Sequence, residues 1–326
     1  FYGEQGGQVG DAGRLITEGD GDCKGGSIFQ VETTVRSGPW VLHVGHVTEG
    51  SLHLGNPVDT RVDQNRHHAI ECNHTATHLL NLALRKVLGG ECEQRGSQVA
   101  EDRLRFDYTA QEVPAVESIE QIEGQVNAAR EADLQIDADN MPLERAQSIS
   151  GVRAVFGERY PDPVRVVAIG ADVSDLSASP DLDAWSDLSI EFCGGTHLDS
   201  TSAIGDFIVV QEQGLAAGIR RISALTGTPA AECRQRGNDI IARIEKLDGL
   251  SADELPSAVD ELARDVTESE LGLVHRRTAE RALEGWRKQA KSARKAAAGA
   301  SRETAVDGAK LLVDSSNGPF IIGEID

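Results

Sequence analysis

Two short strings combine residue types and spacing that suit metal chemistry. His74-Thr75-Ala76-Thr77-His78 places two imidazoles four residues apart. On a helix, positions i and i+4 share one face with their Cβ atoms about 5–6 Å apart, so both rings can reach one ion. Cys193-Gly194-Gly195-Thr196-His197 adds a thiol and a third imidazole. Its paired glycines allow a sharp backbone path that turns both side chains to the same side. Three nitrogens and one sulfur form a tetrahedral donor set of the kind zinc takes. Either pair alone is common in proteins without a metal; their presence together in one chain is what points to a site. The remaining histidines, His43, His46, His53, His67, His68 and His275, have no comparable partners and read as surface or barrel residues.

The elements that must position these residues can be read from periodicity. Residues 1–65 are Gly-rich with short alternating runs, Ser27–Thr33 and Trp40–Val44, which predict a small β-barrel or sheet. From Asn73 the apolar spacing becomes helical through Leu79, Leu80, Ala83, Leu84, Val87 and Leu88, and Gly89-Gly90 ends it. Arg103–Tyr108, 152–156, 164–169 and 206–210 predict strands, and 115–135 a helix polar on one side. This middle part is α+β. Residues 229–300 lack strand signals. Leu255, Val259, Leu262, Val266, Ser269 and Leu273 follow a short heptad register that then breaks at Arg276 and Glu280. Pro229 and Pro256 stand where helices can start. An antiparallel helical hairpin with its turn near that break is expected. Lys310–Asp326 reads as strand, Ser-Ser-Asn-Gly turn, strand.

Composition narrows the function classes. The chain has 326 residues and five widely spaced cysteines, Cys23, Cys72, Cys92, Cys193 and Cys233, which is no disulfide framework and fits a reducing, cytoplasmic setting. No apolar run is long enough to span a bilayer, and no signal peptide opens the chain. It opens on Phe1, not on an initiator Met, which reads as an excised piece of a longer protein. The net charge is −21, and only seven of the 32 basic residues are lysine. An acidic surface repels phosphate and argues against nucleic acid. The lysine depletion fits a salt-adapted protein, in which concentrated ions screen that repulsion.

Five ordered blocks carry a resemblance. Phe1–Asp11 with its Gly6-Gly7-Gln8, Asn73–Leu80, Gly96-Ser97 with Leu104-Arg105-Phe106-Asp107, Phe192–His197, and Ala216–Ile222 together resemble the editing region of alanyl-tRNA synthetases. The likeness covers nearly all of residues 1–227. The threonyl-tRNA synthetase editing domain shares the two metal-type strings but not the other blocks in this form. The resemblance implies a β-barrel over 1–65, a zinc-containing editing core over 66–227, a helical linker or coiled coil over 228–306, and the start of a C-terminal tRNA-binding domain over 307–326. It implies zinc on His74, His78, Cys193 and His197, and a pocket in which Thr77, Gln94 and Ser97 act. It implies hydrolysis of mischarged serine or glycine from the acceptor end of tRNA(Ala), with no alanine activation by this chain. It also implies a homodimer through the C-terminal region of the longer protein. Two other readings stand beside it: a non-catalytic zinc-stabilised tRNA-binding or dimerising module, and a free-standing editing protein of the same superfamily. Gln98, where the family usually has an aliphatic residue, and the looser Ile204–Phe207 depart from the pattern. With four protein donors the metal site would be closed, so a substrate role needs a ligand to move or the coordination to expand. Arg220-Arg221 and the Arg/Lys-rich 287–302 are the candidate basic patches for RNA.

Overall fold

The computed structural model describes residues 1–17, 26–89, 91–154 and 159–315. Cys23, Gly90, the second half of the 152–156 segment and residues 316–326 lie outside the described residues. The chain forms two compact units. One comprises 1–233 with 272–274, and the other the remainder.

The first unit is mixed α+β. It opens with β1 (Gly13–Ile16), β2 (Ile28–Ser37), β3 (Trp40–Glu49) and β4 (Asp59–Val62). They make an antiparallel sheet in the order β3-β2-β1-β4. The sheet is open, which corrects the expected barrel. Closure would need β3 to pair with β4, but β4 has only four residues, and Trp40, Val41 and Leu42 on β3 are exposed.

Next comes α1 (Gln64–Leu88), nine residues longer at its start than the apolar spacing suggests. Asp63 caps it, its carboxylate accepting from the amides of Asn65 and Arg66 at 3.1 Å. The helix is buried on two sides. Ala76, Leu80, Ala83 and Leu84 enter the main apolar core, while His74, Thr77 and His78 form a buried polar stripe. β5 (Gln94–Val99) and β6 (Leu104–Thr109) follow, then α2 (Val116–Glu131), whose Ile119, Ile122 and Val126 face the same core. β7 (Ile136–Met141), α3 (Leu143–Gln147), β8 (Val164–Ile169), α4 (Val173–Ala178) and β9 (Ser189–Phe192) build a three-stranded antiparallel sheet β7-β8-β9 with its own core. The 152–154 part of the expected strand makes only a bridge, Arg153 to Glu191 on β9. β10 (Phe207–Ala216) and β11 (Ile219–Thr226) complete the sheet β10-β11-β6-β5.

α5 (Gly227–Glu245) begins in the first unit and runs into the second, which also holds α6 (Leu255–Glu268) and most of α7 (Leu273–Ser315). The expected hairpin is a three-helix arrangement. α6 is antiparallel to both neighbours: Arg243 pairs with Glu261 and Asp265, and the Arg294 guanidinium donates to the Pro256 carbonyl. Val259, Leu262 and Val266 of the heptad register are buried there against Ile240, Ile244 and Leu283. The register breaks because α6 stops at Glu268 and a new helix starts at Leu273. Residues 310–315, expected as a strand, continue α7. Among the described residues no helix is long and apolar enough to cross a membrane.

Candidate metal centre and its pocket

The polar stripe of α1 meets the turn after β9. Ligand-type atoms of His74, His78, Cys193 and His197 all lie within 4.8 Å of one another. Cys193 Sγ is 3.4 Å from His74 Nε2 and 3.3 Å from His197 Nε2. Gly195 is required by this approach, because a Cβ there would stand 2.1 Å from His74 Cε1.

Several neighbours fix the rings. Gln8 is fully buried. Its Oε1 accepts from His74 Nδ1 at 2.7 Å and from the Thr196 amide at 3.0 Å, and its Nε2 donates to Thr196 Oγ1. His197 Nδ1 lies 3.3 Å from Thr75 Oγ1. Arg165 donates to the carbonyls of Cys193 and Gly195 and so holds the turn. Burial holds His74 and His197 well below the ordinary histidine range, and with the nearby Arg165 charge takes His78 down to about 3. The three imidazoles are therefore neutral, with lone pairs available to a cation. Nδ1 of His78 is buried without a hydrogen-bond partner. An orphaned ring nitrogen beside a thiol and two neutral imidazoles is what a tetrahedral N/S metal site leaves when its ion is removed. The residues fit such an ion.

His74, His78 and Cys193 of the cluster line a cavity of about 210 Å³ that Thr77, Gln94 and Ser97 also line. Gln94 and Ser97 share this face through a bulge. The β5–β6 register shifts between Gln94 and Gly96, which reverses the strand's alternation. Gln94 Nε2 accordingly donates to Ser97 Oγ at 3.2 Å. Gly7, at φ +86°, crosses close over this strand, where a Cβ would meet the Ser97 carbonyl at 2.4 Å. That crossing lays Gln8 beside Val99 and into the site. Thr77 lies in the cavity wall, but its hydroxyl donates to the Asn73 carbonyl at 2.7 Å. Gln98 is exposed and lies off the cavity, so that departure from the family pattern leaves the pocket untouched.

Two residues here carried no functional reading in the sequence. Gln8 sits in a recognised block, but its partners are 66 and 188 residues away. Glu191 lies in the fully buried strand Ser-Ile-Glu-Phe, where a lone acid was the available signal. It accepts from Asn81 Nδ2 at 2.9 Å, lies 3.7 Å from His78 Nε2, and burial pushes its carboxyl up to about 7. Arg220 and Arg221 prove to be paired: Arg220 with the buried Glu212, and Arg221 in two hydrogen bonds to Asp107 at 2.6 and 2.8 Å. Those pairs join β10, β11 and β6 and leave little charge for RNA.

Residues 164–223 match the family described as the threonyl and alanyl tRNA synthetase second additional domain. The mitochondrial alanine–tRNA ligase of Saccharomyces cerevisiae is 41% identical over 250 residues, covering 77% of this chain and 25% of the relative. The cytoplasmic alanine–tRNA ligase of Bombyx mori is 43% identical over 230 residues, 71% of this chain and 23% of that protein. That of Drosophila melanogaster is 33% identical over 332 residues, 99% of this chain and 34% of the relative. The chain belongs to the alanyl-tRNA synthetase family. It spans about a quarter to a third of the length of the curated relatives it matches. Within the family the matched stretch takes in β8, β9 and the Cys193–His197 turn, so the thiol and one imidazole of the cluster come from the recognised domain. The other two come from α1, outside it.

Proposed function

We propose that this chain, as part of a longer alanyl-tRNA synthetase, hydrolyses the ester of serine or glycine mistakenly joined to tRNA(Ala). The observation that carries the reading is one cavity walled by His74, His78 and Cys193 of the cluster and by Thr77, Gln94 and Ser97. A zinc ion on His74, His78, Cys193 and His197 would supply Lewis acidity beside the scissile ester. The chain's own residues would do the discriminating. Thr77 has given its proton to Asn73, so its oxygen can only accept. Ser97 Oγ accepts from Gln94, so its proton is free to donate. A seryl hydroxyl between them would donate to one and accept from the other. An alanyl methyl in the same place would leave both unpaired, which disfavours alanine by more than size can.

A second reading has one observation in its favour. Four protein donors close a zinc site, which suits a structural ion in a non-catalytic tRNA-binding or dimerising module. Deacylation assays with seryl-, glycyl- and alanyl-tRNA(Ala), run beside zinc analysis of the same sample, separate the two. Hydrolysis of the first two esters with alanine spared, and its loss in Cys193→Ala, is the expected result. One zinc per chain with no hydrolysis of any ester would leave the module reading.

A further inference from the structure

A second cavity, of about 240 Å³, adjoins the first and shares Gln94, Glu191 and Phe192 with it. Its other lining residues include Arg85 on α1 and Arg153. In this chain of net charge −21 several arginines are neutralised by carboxylates, as in Arg66–Glu101, Arg220–Glu212, Arg221–Asp107 and Arg243–Asp265. Among the described residues neither Arg85 nor Arg153 has a carboxylate within ion-pair distance, and Arg85 Nε is buried without a hydrogen-bond partner. Glu93, the nearby acid in the same cavity, is already paired with Arg95 at 3.0 Å. Glu191 is engaged by Asn81. Arg159 and Arg165 line the adjoining cavity, and among the described residues they have no ion pair either. The adjoining cavities thus gather guanidinium groups that no described carboxylate pairs. Such charge invites an anion, and a guanidinium fork matches phosphate oxygens best.

We propose that Arg85 and Arg153 form a phosphate-binding subsite that takes the backbone of a single-stranded RNA 3′ end whose terminal acyl ester lies at the His/Cys cluster. The inference rests on the hydrolase reading for what occupies the first cavity. The phosphodiester nearest the ester joins the terminal nucleotide to the one before it, and the cavity of Arg85 and Arg153 adjoins the cluster's through Gln94, Glu191 and Phe192. Phosphate capture inside a cleft also resolves the conflict between an acidic surface and an RNA substrate: repulsion acts over the surface, while the attraction is local and shielded from it.

The test uses the whole chain, purified with zinc supplied, and an unacylated CCA-ended RNA oligonucleotide. Binding is followed by fluorescence anisotropy across KCl concentrations for wild type, Arg85→Gln, Arg153→Gln and the double variant. Each removal is expected to weaken binding roughly tenfold and to flatten the salt dependence by about 0.7 in the log–log slope. Arg85→Lys should keep the slope and lose part of the affinity. Arg61→Gln, on an exposed residue paired with Asp59, should change nothing. Among the described residues Arg153 contributes only backbone hydrogen bonds to the fold, so its variant carries the test if Arg85→Gln misfolds. Wild-type affinity and slope in a folded Arg153→Gln would overturn the subsite. A second arm compares seryl-RNA with seryl-adenosine, which has no phosphate. The variants should slow the first and spare the second; equal slowing would also overturn the proposal. If wild type cleaves neither ester while RNA binding still depends on both arginines, the subsite stands and the hydrolase reading falls.

Discussion

Gln8 and His74 are joined side chain to side chain, Oε1 to Nδ1, at 2.7 Å. The Thr196 amide donates to that same oxygen, which identifies it as the carbonyl end of the Gln8 side chain. An amide oxygen only accepts, so His74 carries its proton on Nδ1 and leaves the lone pair of Nε2 facing Cys193 Sγ. Gln8 thereby selects the tautomer that can bind a metal. Gln8→Ala should lower zinc affinity about 10–100-fold with the fold retained. Competition with a chromophoric chelator measures it. Wild-type affinity would mean that packing alone orients the ring.

Thr77→Val keeps the shape of the cavity wall and removes an acceptor. The seryl ester should be hydrolysed about 2–13-fold more slowly, the range of one neutral hydrogen bond. Glycine has no hydroxyl, so its ester should be nearly unaffected. Single-turnover deacylation of both esters decides it. Equal slowing would show that Thr77 only braces α1 through Asn73.

His67 was expected to be an unremarkable surface residue, yet it sits between two carboxylates: Asp11 at 2.8 Å and Glu71 at 3.2 Å. These hydrogen bonds raise its pKa to about 9. A raised histidine binds its proton more tightly folded than unfolded. Its stabilisation is complete below the unfolded value of about 6.5 and fades as pH climbs through 9. Partial solvent access keeps the effect to about 1–2 kcal/mol. Melting temperature should therefore fall by a few degrees between pH 6.5 and 9. His67→Asn should remove that slope, and a parallel decline in the variant would assign it to other groups.

The charge of −21 predicts self-repulsion in dilute buffer. At molar KCl the screening length shrinks to about 3 Å, and the repulsion should largely vanish. Melting temperature should rise from low to molar KCl. A curve indifferent to KCl would reject salt adaptation.

The sequence made the cluster legible because its two halves are local: His74 and His78 share a helix face, and Cys193 and His197 share a turn. What joins the halves is not local. The contact that makes Gly195 indispensable lies with a histidine on α1, and nothing around residue 195 names its partner. The pocket face shared by Gln94 and Ser97 depends on a bulge that alternation alone would deny. The strands of the first sheet were readable from their alternation, but whether a sheet closes depends on its two edges meeting. Leu311-Leu312-Val313 was read as a strand because three apolar residues carry no period of their own. Context from the preceding helix decides for α7.

α7 is 43 residues long, and the last of its residues in the buried bundle core is Ala290. At about 1.5 Å per residue the remainder is a rod of nearly 40 Å. Its side chains are mostly exposed, so its helicity rests on alanine-rich local propensity and the turns before it. Such a segment unwinds in small steps from the part farthest from the bundle, each costing little. Amide protons beyond Ala290 should exchange with solvent through this fraying, while those near Leu283 wait for the bundle to open. One continuous helix thus contains two regimes of motion, separated by where its packing stops.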